Sequence, residues 1–69
     1  MESTLKPGDI VTVRMKVWGL RCMYNTGEMG IVLGPAEDDE NRSKGCLSIL
    51  IRGGQEDFSP RMLEVVNEQ

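Results

Sequence analysis

Gly27-Glu28-Met29-Gly30-Ile31-Val32-Leu33-Gly34 is a turn that runs straight into a short apolar strand, and the reading of the whole chain starts from it. Gly27 and Gly30 stand where a backbone needs either a positive φ or room for close approach. Ile31, Val32 and Leu33 are three apolar residues in a row, the pattern of a strand that meets other atoms on both faces, so an interior strand is expected. Gly34-Pro35 ends it, because proline has no amide hydrogen to give to a ladder.

Toward the N-terminus, residues 1–6 read as a flexible tail and Lys6-Pro7-Gly8-Asp9 as a turn in which proline presets φ. From Asp9 to Val17 the pattern alternates, with Val11, Val13, Met15 and Val17 on one face and Thr12, Arg14 and Lys16 on the other. That is the period of a half-buried antiparallel strand. Trp18 to Thr26 breaks the alternation and predicts a long irregular loop or a splayed hairpin arm. Trp18, Leu20, Met23 and Tyr24 on this loop form the candidate partner-binding surface, since aromatic and methionine side chains supply much of the energy at protein interfaces. The competing structural reading is that Trp18 and Tyr24 fold back to close one end of a barrel.

Toward the C-terminus, residues 35–44 read as a mobile acidic loop, because Glu37, Asp38, Asp39 and Glu40 repel one another and nothing apolar draws the segment inward. A calcium loop fails in register: counted from Asp39, the sixth position is Lys44 rather than glycine and the twelfth is Leu50 rather than glutamate. Gly45 to Arg52 is the strongest strand pattern, with Leu47, Ile49 and Ile51 facing inward and Leu50 pointing the other way, where an apolar outward strand invites self-association. Gly53-Gly54 predicts a two-residue hairpin turn, Gln55 to Phe58 a short return strand, Pro60-Arg61-Met62 one 3₁₀ turn, and Leu63 to Val66 a last strand.

The 69 residues suit one domain, and a domain so small buries only about 60% of the surface its unfolded chain exposes. A ligand pocket of the usual ~300 Å³ or more has little room in such a core. The formal charge of −3 argues against nucleic acid as the main partner, although residues 1–25 hold a local +2 through Lys6, Arg14, Lys16 and Arg21 against Glu2 and Asp9. Arg14, Lys16 and Arg21 are therefore the nucleic-acid candidates under an alternative reading. There is no histidine, and Cys22 and Cys46 are the only cysteines, so zinc and cysteine–histidine catalysis lack their ligands or base. Two free thiols in a reducing cytoplasm are expected. Met1-Glu2-Ser3-Thr4 has neither a basic start nor an apolar run, so no export is expected, and no stretch approaches the ~20 apolar residues of a membrane span. These readings predict an all-β protein that is not an enzyme, takes no cofactor, metal or small-molecule substrate, and works in the cytoplasm through a protein partner or as a homo-oligomer.

Five short strands, a long first loop, an acidic second loop, a Gly-Gly hairpin and a 3₁₀ turn before the last strand resemble the order of a Src-homology-3 (SH3)-like barrel over nearly the whole chain. Pro7-Gly8-Asp9-Ile10-Val11 followed by Gly27-x-x-Gly30-Ile31-Val32 resembles the opening of KOW-type barrels, and that resemblance implies association with RNA or with transcription and ribosome components. The sequence departs from the KOW pattern at Thr26-Gly27-Glu28-Met29, which places an acid where a base would touch phosphate. The ending Met62-Leu63-Glu64-Val65-Val66-Asn67-Glu68 is similar to that of small barrel proteins of tailed bacteriophages, which implies an accessory protein in the host cytoplasm.

Overall fold

Alternating burial builds the fold around β4 (Met29–Pro35), the middle strand of a five-stranded antiparallel sheet. The computed structural model describes residues 5–66, so residues 1–4 of the expected tail, and Asn67 and Glu68 of the ending, lie outside the described residues. Around β4 are β1 (Ile10–Val13), β5 (Leu47–Ile51), β6 (Gly54–Phe58) and β7 (Leu63–Val65), in the order β6-β5-β4-β1-β7. A separate two-stranded hairpin, β2 (Val17–Trp18) with β3 (Met23–Tyr24), interrupts the chain between β1 and β4. The fold is thus all-β in substance, but the sheet is open: β6 and β7 are its edges, and no ladder joins them.

One face of this sheet is the core. Val11 and Val13 from β1, Val32 from β4, Ile49 and Ile51 from β5, Phe58 from β6 and Leu63 from β7 pack together with Tyr24 from the hairpin. Gly30 belongs to the same face and is there for space: a Cβ on it would lie 2.7 Å from the Ile49 Cγ2 and 3.0 Å from the Leu50 carbonyl oxygen. Gly27, by contrast, supplies φ of +93°. The two glycines of the opening stretch therefore do different jobs, one in a turn and one in a close strand crossing.

Several expectations need correcting. β4 is interior to the sheet, yet it is covered on one side only, with Met29, Ile31 and Leu33 exposed and Gly30, Val32 and Gly34 buried. Among the described residues no second layer covers the outer face, so the apolar run of β4 is half solvated. The strand expected from Asp9 to Val17 stops at Val13, because the chain bends at Arg14 and Met15 and leaves Met15 exposed. Residues 35–44 are not a featureless loop. Asp38 caps one turn of helix, α1 (Asp39–Ser43), by accepting from the Asn41 amide, and the Asn41 side chain ties the turn to Asp57 on β6.

The β5–β6 turn lies one residue earlier than expected, at Arg52-Gly53, with φ of 55° and 73°. Positive φ at both central positions marks the turn whose twist matches antiparallel strands. Arg52 has this uncommon conformation as the first central residue of the turn, and its guanidinium is held in place. It forks onto both Glu28 carboxylate oxygens, donates to the Cys22 Sγ at 3.1 Å and lies 4.9 Å above the Tyr24 ring centre.

Candidate functional site

One buried acid anchors the hairpin to the sheet, beside the apolar packing of Tyr24 and Val17 and the Arg52 contact with Cys22. Glu56 on β6 is 1% exposed, and its carboxylate accepts from the Leu20 amide at 2.8 Å, the Arg21 amide at 3.0 Å and the Tyr24 hydroxyl at 2.7 Å. All three donors come from residues 20–24, while no β-ladder connects hairpin and sheet. Two glycines clear the ground for this contact. A Cβ on Gly19 would meet the Glu56 carboxylate and the Tyr24 ring at 2.7 Å, and one on Gly54 would overlap the Arg21 guanidinium.

The clamp divides the four residues expected at a contact surface. Tyr24 is wholly buried, edge-on to Phe58 with ring centres 5.6 Å apart, so it belongs to the core and is withdrawn from that surface. Its pairing partner Val17 packs against the core too, which turns the next pair, Trp18 and Met23, to the outside. Trp18 is 74% exposed and Leu20, near the tip, is 86% exposed; Met23 is half-buried. Of the loop's large side chains, Tyr24 thus enters the core while Trp18 and Leu20 protrude into solvent.

Arg14, Lys16 and Arg21 are all exposed, and none forms an ion pair with a described residue, whereas Arg42, Lys44 and Arg52 each pair with an acid. Lys16 lies two residues before Trp18, between the bend at Arg14 and Met15 and the start of β2. Leu50 sits elsewhere, on the outer face of the sheet. The ladder aligns Ile10, Ile31 and Leu50 in one cross-strand row, with Met29 beside it, around an apolar depression of about 340 Å³.

Glu56 and Arg52 escaped the reading of the sequence. A signal for Glu56 existed in its spacing, since it stands two residues from Phe58 and so on the same, inward face of β6. Burial by itself raises the Glu56 pKa, but the bonds from Tyr24, Leu20 and Arg21 and the Arg21 charge outweigh it and hold the carboxyl below its ordinary 4.5. Glu28 is lowered as well, first by Arg52 and then by the Asn25 amide. A carboxyl whose pKa falls on folding stabilises the native state above its unfolded value and loses that contribution as pH drops through the folded value. The urea midpoint is therefore expected to fall below about pH 4.5, and to fall less steeply in Glu56→Gln; equal slopes would show the clamp to be electrostatically silent. Tyr24 is shifted the other way, upward, by burial and then by the Glu56 carboxylate, so its contribution is complete below the ordinary tyrosine value of 10.0 and is lost as pH rises above it.

Chemically the clamp is closed. Both Glu56 oxygens are occupied by protein donors and the group has no face open to a substrate. Both cysteines are free and half-buried. Among the described residues no helix is long and apolar enough to cross a membrane. The fold and these surfaces define a small antiparallel β domain with an exposed apolar hairpin. Comparison with family models, with curated proteins and with solved structures finds no match to this chain.

Proposed function

We propose that the chain is a non-catalytic interaction module, a small SH3-like barrel that binds a protein partner through its β2–β3 hairpin. Support for the SH3-like reading comes from the strand order, from the hairpin inserted between β1 and β4, and from the 3₁₀ turn (Pro60–Met62) before the last strand. The observation that carries the function is the exposure of Trp18 and Leu20 on a hairpin whose backbone is anchored to a buried carboxylate. A rigid loop presenting large apolar side chains binds with little ordering cost. The double variant Trp18→Ala, Leu20→Ala is expected to keep the wild-type circular dichroism spectrum and stability within about 0.5 kcal/mol, as for other exposed positions. In a pull-down from the native host it should lose the proteins that the parent retains. Identical captured sets, or an unfolded variant, would remove the hairpin as the binding surface.

A second reading is self-association through the outer face of the sheet, favoured by the row Ile10, Ile31 and Leu50 with exposed Met29 and Leu33 around it. Apolar patches of this kind mark contact sites on small domains. Sedimentation should then show an oligomer that Leu50→Lys converts to monomer. A parent that is monomeric at high concentration eliminates this reading and leaves the hairpin reading untouched.

A further inference from the structure

We propose that the hairpin surface takes a short acidic segment of another protein that also carries apolar side chains; this rests on the interaction reading above and names its ligand. Residues 14–21 contain three cations and no acid, a charge of +3 in a chain whose total is −3, so the rest of the molecule carries −6. Arg14 and Lys16 are exposed and free of ion pairs with described residues, Arg21 is exposed with its charge acting on the buried Glu56, and Trp18 and Leu20 stand between them in the chain. A ligand that satisfies both features needs carboxylates for the cations and aliphatic or aromatic groups for Trp18 and Leu20.

Charge decides between this ligand and other anions. A nucleic-acid duplex carries one charge per ~1.7 Å along its axis, and an anionic membrane is a plane. Either would extend past the hairpin over residues that together carry −6, and like charges oppose such an approach within about a Debye length, ~8 Å in physiological salt. A short peptide places its charges over residues 14–21 alone and avoids that repulsion. A second copy of this chain fits poorly, because its acidic run Glu37-Asp38-Asp39-Glu40 is flanked by buried Ala36 and polar Asn41 rather than by exposed apolar groups.

The backbone presenting the surface is already ordered. Glu56 fixes the Leu20 and Arg21 amides, so binding does not have to freeze the tip. Selection of random dodecapeptides on the wild-type protein is expected to enrich sequences that combine aspartate or glutamate with leucine, isoleucine or phenylalanine. The enriched peptides should shift the emission of Trp18, the sole tryptophan. Their affinity should fall by about tenfold or more in Arg14→Glu, Lys16→Glu, and should be lost in Trp18→Ala. Enrichment of neutral or basic peptides, no enrichment, or a stronger Trp18 response to a uridine oligonucleotide or to phosphatidylserine vesicles overturns the proposal. Host capture that depends on Trp18 but is unchanged in Arg14→Glu, Lys16→Glu overturns the acidic ligand alone and leaves the interaction reading standing.

Discussion

Glu56→Ala is expected to lower the unfolding free energy by about 3 kcal/mol or more, because it leaves three donors without an acceptor at about 1–3 kcal/mol each. Those donors are the Leu20 and Arg21 amides and the Tyr24 hydroxyl, which the one carboxylate now satisfies. A chain of 69 residues holds only about 3–10 kcal/mol in total at the usual stability per residue, so a loss of about 3 kcal/mol removes from about a third to all of it. Glu56→Gln keeps one acceptor oxygen but turns an amide group toward a donor, and a loss of about 1–3 kcal/mol follows from the single orphaned bond. Urea unfolding should therefore rank parent above glutamine above alanine. An alanine variant as stable as the parent would show that the hairpin is held by apolar packing and not by the carboxylate.

Gly30→Ala should cost about 1–3 kcal/mol through overpacking. The added Cβ meets the Ile49 Cγ2 at 2.7 Å, the Leu50 carbonyl oxygen at 3.0 Å and the Ile51 Cβ at 3.3 Å. A side chain could rotate away, but the carbonyl belongs to the backbone of the β4–β5 pair and can move only with the ladder. Gly30→Val should lose more, since its γ carbons enter the same gap. Thermal unfolding of the two variants tests this, and an unchanged midpoint for Gly30→Ala would mean that β4 and β5 have slack at their crossing.

Both predictions concern the inner face of the sheet, and the proposed functions use the other surfaces. The buried core cluster lies on that inner face together with Tyr24 of the hairpin, and the short helix contributes no residue to it. The large apolar residues exposed among the described residues include Trp18 and Leu20 on the hairpin and Met29, Ile31, Leu33 and Leu50 on the sheet.

Element type was legible in the sequence because it depends on local periodicity and turn chemistry. The alternation of Val11 and Val13 placed β1, Gly34-Pro35 ended β4 at Pro35, the Leu47 to Ile51 run made β5, and Pro60 opened the 3₁₀ turn, all from neighbours in the chain. Along β5 the period of two places Leu50 outward and Ile49 and Ile51 inward, but it fails at Ser48, which is buried where the β4–β5 register shifts and not outward beside Leu50. What lay across space was not legible. Whether Ile31 and Leu33 are covered depends on which other elements reach them, and an apolar run reads the same whether or not a second layer exists. Tyr24 and Trp18 are both aromatic residues of one loop; only the tertiary contact with Phe58 and Glu56, more than thirty residues away, sends one into the core and leaves the other in solvent. The same contact turns Glu56, by composition an ordinary surface acid, into the buried anchor of the hairpin, because an acid's burial is decided by donors that the fold brings to it from elsewhere.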